Sequence, residues 1–108
     1  MTQQSALRQE AKTIVHVDPD IADLIPGFLE NRHKDIGTIG EALTRGDFET
    51  IRFLGHSMKG AGGSYGFDAI TDIGKSLEQA AIAQDTGGIK KSLQELFAYL
   101  DSIEVVYK

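Results

Sequence analysis

The chain is expected to fold as an all-α, antiparallel four-helix bundle with an N-terminal arm or short extra helix ahead of it. Apolar residues recur at spacings of three and four in four successive stretches, and short turns bearing Gly or Asp separate those stretches. Strand signals are weak everywhere except the last residues, Ile103-Glu104-Val105-Val106-Tyr107. A length of 108 residues suits one domain built on a single core.

Residues 1–17 are polar apart from the patch Ile14-Val15-His16-Val17, and read as an arm that packs on the bundle; residues 18–108 read as the bundle itself. Asp18-Pro19-Asp20 is a helix-start signal. Ile21, Leu24, Ile25, Phe28, Ile36, Ile39 and Leu43 mark one face, interrupted by Pro26. Proline is tolerated in a first turn and not in an interior, so Pro26 belongs where a short helix gives way to a longer one. Gly46 suits the left-handed stop of that helix and Asp47 the cap of the next. The second long helix is expected from Phe48 to Tyr65, stopping at Gly66. Phe67, Ile70, Ile73, Leu77, Ala80 and Ala81 give a third apolar stripe, Asp85-Thr86-Gly87-Gly88 a turn, and Ile89, Leu93, Leu96, Leu100 and Ile103 a final seam.

Composition excludes several classes of function. A net charge of −5 argues against a nucleic-acid groove. The absence of cysteine removes disulfides, thiolate metal sites and thiol nucleophiles. No segment resembles a signal peptide or reaches membrane-spanning length, so a cytoplasmic protein is expected. His16 and His33 lack metal-ligand spacing. The glycines after Lys59 reverse the order of a phosphate-binding loop, and Gly60, Gly62 and Gly66 miss the dinucleotide fingerprint by one residue. A metal- or small-molecule-binding bundle would need polar groups converging inside, whereas the inward stripes are apolar.

The most informative segment is His56-Ser57-Met58-Lys59-Gly60-Ala61-Gly62-Gly63-Ser64-Tyr65-Gly66. At about 100° per residue, Ile51, Leu54, Met58, Ala61 and Tyr65 lie opposite His56, while Arg52, Lys59, Gly60 and Gly63 share its face. The histidine therefore stands on the outward side of its helix. Glycine inside a helix costs about 1 kcal/mol relative to alanine. Its repetition at Gly60, Gly62 and Gly63 suggests a bare surface on which another body can approach the imidazole. The alternative is a loop that begins soon after His56.

The pattern His-x-x-Lys-Gly with a further Gly six residues on, here His56, Lys59, Gly60 and Gly66, resembles the histidine-containing phosphotransfer (HPt) domain of two-component relays. Gly46-Asp47, Gly66-Phe67 and Leu77-Glu78-x-Ala80-Ala81 extend the likeness, which covers about Asp18 to Leu100. Gly55 departs from it, standing where the family more often has alanine, and suggests a loosened helix end.

The resemblance implies a carrier that takes a phosphoryl group on the outer ring nitrogen of His56. Its expected partners are response-regulator receiver domains and a sensor or hybrid histidine kinase. The magnesium ion would be held by the receiver, and the bundle would need no cofactor or metal of its own. Lys59 would meet the phosphoryl charge, a solvated lysine being the alternative. Glu78 would orient the imidazole, as a glutamate at that offset does in chemotaxis-kinase phosphotransfer domains; a plain surface glutamate is the alternative. Arg52, Phe53, Ser57, Gly60, Gly63 and Lys75 are candidates for partner docking. Histidine-kinase dimerisation helices place an acid directly after their histidine and a proline five positions on, where this chain has Ser57 and Ala61. A carrier rather than an enzyme is therefore expected, and a monomer. The competing reading is a docking module that binds receivers without transfer.

Overall fold

A computed structural model describes residues 12–108. Its elements are strand β1 (Thr13–Val17), a 3₁₀ turn (Pro19–Leu24) and helices α1 (Ile25–Arg45), α2 (Phe48–Gly62), α3 (Asp68–Ile82) and α4 (Thr86–Ser102), followed by strand β2 (Ile103–Tyr107). Short connections make successive helices antiparallel neighbours. α2 packs most extensively on α3, and α1 closes the bundle against α2 and α4. The four-helix architecture expected from the apolar spacing is thus present.

Local chemistry sets the boundaries. Asp18 accepts from the Asp20 amide at 2.8 Å to start the 3₁₀ turn, and Pro26 falls in the first turn of α1. Gly46 ends α1 in the left-handed region at φ 71°. Asp47 caps α2 by accepting from the Thr50 amide at 3.1 Å and the Thr50 hydroxyl at 2.6 Å. These bonds hold the Asp47 carboxyl below its ordinary pKa.

α2 is α-helical to Gly62, and its last turn, Gly63–Tyr65, tightens to 3₁₀ before Gly66 turns the chain at φ 92°. The turn expected at Asp85–Gly88 lies slightly earlier. Gln84 adopts φ 54°, and Asp85 caps α4 by accepting from the Gly88 amide at 3.0 Å. Gly87 and Gly88 are therefore the first turn of a helix. A Cβ on Gly88 would lie 2.7 Å from the capping carboxylate.

The core is filled by Ile25, Phe28 and Ile39 from α1, Ile51 and Met58 from α2, Ile70 and Leu77 from α3, and Ile89 and Leu96 from α4. Phe67, fully buried between α2 and α3, lies with its ring centroid 5.5 Å from that of Phe28, which in turn meets Tyr65 at 4.5 Å.

The arm contributes more than a loose patch. Its strand pairs in parallel with β2, Thr13 opposite Ile103, Val15 opposite Val105 and Val17 opposite Tyr107. Four antiparallel helices return the chain to the end where it entered, which brings the two strands together. A two-stranded ladder alone is marginal in water. This one is held by Val15 and Val17, which point into the core. The same β-branched character takes Ile103 out of the last helix, where the seam had placed it, and into β2. Residues 1–11 of the expected arm lie outside the described residues.

Candidate functional site

His56 lies in the middle of α2 with 63% of its side chain exposed, as the position of the apolar stripe requires. Its immediate environment comes from α3. Glu78 places Oε2 3.0 Å from His56 Nδ1 and Oε1 2.7 Å from Lys59 Nζ, so one carboxylate bridges the imidazole and the ammonium. Lys59 is one turn beyond His56 on α2, which brings both side chains to the same rim of the helix pair.

The Glu78 side chain is only 15% exposed. Its pKa is lowered, first by the hydrogen bond from Lys59, with partial burial opposing and the bond to His56 assisting. Glu78 is therefore an anion at neutral pH and can only accept. A neutral His56 ring bonded to it must carry its proton on Nδ1, which leaves the Nε2 lone pair on the solvent side.

The other candidates separate into groups. Phe53, 62% exposed, and Ser57 lie on the outer surface of α2 beside the histidine. Gly60 faces open space, with nothing within 4 Å of where a Cβ would be. Arg52 forms a two-pronged pair with Glu49 at 3.1 and 2.9 Å and also feels the charge of Glu78. Lys75 is exposed on α3, three residues before Glu78, and takes part in none of the ion pairs among the described residues. Gly63 is less open than Gly60: its amide donates to Thr71 Oγ1 at 2.8 Å.

Thr71 escaped the sequence reading because a threonine in a helical first turn carries no distinctive signal. Its hydroxyl accepts from Gly63 and donates to the Lys59 carbonyl at 3.1 Å, clasping the end of α2 to the start of α3. Thr71→Val keeps the shape and removes both bonds. A loss of about 1–2 kcal/mol is expected, read as a melting temperature lower by roughly 4–8 °C per kcal/mol.

The glycines of α2 also divide. Gly55 and Gly62 are buried against α3, where a Cβ would come within 2.7 and 2.6 Å of backbone nitrogen. The surplus glycine that suggested a loosened helix is a requirement of tight packing instead. Gly74 on α3 makes the reciprocal approach.

Among the described residues there is no group of three or more His, Cys, Asp or Glu able to hold a metal, and no helix long and apolar enough to cross a membrane. The family model for the Hpt domain matches residues 23–105, which is most of the chain and includes all four helices and the histidine site. The chain belongs to the Hpt domain family. An Hpt domain has a role in two-component phosphorelay and acts as a phosphotransfer carrier working with receiver domains and histidine kinases. No curated protein and no solved structure matches this Hpt chain significantly.

Proposed function

We propose that this Hpt domain accepts a phosphoryl group on Nε2 of His56 from a receiver-domain aspartate, or from a histidine kinase, and passes it to the aspartate of another response regulator. The observation that carries this reading is the exposed imidazole whose Nδ1 is engaged by Glu78. With that nitrogen occupied as donor, the outer nitrogen is the available nucleophile.

In the accepting step the Nε2 lone pair forms the N–P bond as the P–O bond of the aspartyl phosphate breaks, and the aspartate leaves as a carboxylate. The ring gains positive charge, which the Glu78 anion offsets through Nδ1–H. Lys59 shares the Glu78 carboxylate at 2.7 Å and is open enough to solvent for its ammonium to meet the incoming phosphoryl oxygens. Onward transfer reverses these changes: a second aspartate attacks phosphorus, and the bonding pair returns to Nε2. A magnesium ion held by the partner receiver would supply the charge that offsets the transferring group.

Phe53, Ser57 and Gly60 adjoin the histidine and form the centre of the docking surface, with Arg52, Gly63 and Lys75 at its margin. A partner that must leave after each transfer suits a modest, transient interface. The chain works as a cytoplasmic, monomeric carrier with no kinase activity of its own.

The test is transfer from phosphorylated receiver domains of the source genome to the native protein and to His56→Gln, read by intact mass at neutral pH. One acid-labile phosphoryl group is expected on the native chain and none on the variant. If no receiver transfers while one still binds, the protein is a docking module and His56 is a contact residue.

A further inference from the structure

The His56–Glu78–Lys59 arrangement depends on how closely α2 and α3 approach, and two glycines govern that approach. Gly55 immediately precedes His56, and Gly74 lies one turn before Glu78; they face each other across the helix crossing. A Cβ on Gly55 would lie 2.7 Å from the Glu78 amide nitrogen and 2.9 Å from the Gly74 carbonyl oxygen. One on Gly74 would lie 2.5 Å from the Lys59 amide nitrogen and 2.7 Å from the Gly55 carbonyl oxygen. These four atoms are main chain, two of them in residues whose side chains form the site, and Met58 Cβ also stands 2.7 Å from the Gly74 position. Rigid backbone on both sides cannot yield as a flexible side chain would, so alanine, the family's commoner residue before the histidine, needs a wider crossing than this chain has.

We infer that Gly55 and Gly74 are positioning residues for His56: their missing side chains set the helix separation at which one carboxylate reaches both the imidazole and the ammonium. Ordinary van der Waals contact needs about 3.5–4 Å, so a methyl group at either position requires the helices to part locally by about 1 Å. The Glu78–His56 hydrogen bond, 3.0 Å long in the native site, would then exceed hydrogen-bonding range. The inference deepens the carrier reading, on which its consequence for phosphotransfer rests, but its geometric content is measurable without any partner.

The readout is the tautomer of His56, taken from the ¹⁵N shifts of its ring in the native protein and four variants. Glu78→Ala supplies the reference for a ring with no carboxylate. Gly55→Ala inserts the methyl at the site. Gly62→Ala inserts one at the same crossing, 2.6 Å from the Thr71 amide nitrogen, and so reports general loosening of the helix pair. Glu78→Asp shortens the carboxylate by one methylene without touching the glycines, and decides the matter if Gly55→Ala does not fold.

Gly55→Ala and Glu78→Asp are expected to move the ring shifts most of the way to those of Glu78→Ala, while Gly62→Ala leaves them native. Native shifts in Glu78→Asp or in folded Gly55→Ala, or an equal displacement in Gly62→Ala, would overturn the inference. If the native protein takes up no phosphoryl group, the carrier reading fails while the ring shifts still judge the positioning role.

Discussion

Replacing Glu78 by alanine is expected to slow phosphoryl uptake from a competent receiver by roughly ten- to a hundredfold. Losses of that order follow removal of an outer partner that fixes a histidine ring at metal centres, and the same logic of tautomer and orientation applies to a nucleophilic imidazole. Without the carboxylate, the neutral ring distributes its proton between two nitrogens and turns freely. The charged ring formed on phosphorylation also loses its counter-ion. Glu78→Gln should fall between native and alanine, because its amide oxygen still accepts from Nδ1 but brings no charge. Single-turnover transfer kinetics with one receiver at saturating concentration measure the order of the three proteins.

The same carboxylate gives a test by pH. Its folded-state pKa is depressed, chiefly by Lys59, so its stabilising contribution is present above the unfolded-state value and is lost as pH falls through the folded one. The difference in melting temperature between native protein and Glu78→Ala is therefore expected to shrink as pH falls below the ordinary glutamate range and to vanish once the lowered folded-state pKa is passed. Thermal melts across that range read it directly.

The largest effect on stability is expected from Phe67→Ala, at about 3–5 kcal/mol. Phe67 is completely buried, stacks beside Phe28 and occupies the residue before α3. Its backbone bonds also join two elements: its amide donates to the Gly62 carbonyl at 2.8 Å, and its carbonyl accepts from Ile70 at 3.0 Å. Truncation leaves these bonds and empties the space between α1, α2 and α3. Domains of this size have about 5–15 kcal/mol in hand, so the variant should melt some 15 °C or more lower. Chemical denaturation distinguishes this outcome, a lower midpoint at unchanged slope, from a collapsed state with altered slope.

Much of the bundle is legible in one sequence because its signals are local. Gly46 and Asp47 mark a stop and a start through their own backbone and side-chain preferences, and the apolar stripe of α2 dictates that His56 faces outward. The site is less legible. Spacing alone cannot say whether Glu78 reaches the imidazole, since that depends on how two helices are rotated and how far apart they sit. Resemblance to related domains suggested the pair, and the 3.0 Å approach is a tertiary fact.

Glycine is ambiguous for a related reason. A leucine or a lysine declares by its chemistry which side of a helix faces solvent, but a glycine carries no such mark. Gly60 looks outward and Gly55, Gly62 and Gly74 look into a helix crossing, and nothing in the residue type separates them. The pairing of Thr13–Val17 with Ile103–Tyr107 was hidden by distance along the chain: each segment is a short apolar run, and only closure of the bundle brings them together.

That pairing has a mechanical consequence. β1 lies near the beginning of the described chain and β2 at its end, and the two run parallel. Tension applied across the two ends would pull the strands along their lengths in opposite directions. The ladder, extended by the Lys108 amide bonded to the Val17 carbonyl at 3.0 Å, would be loaded in shear, with its bonds sharing the force instead of opening one by one. The helices lie behind this clamp and would bear load only after it failed.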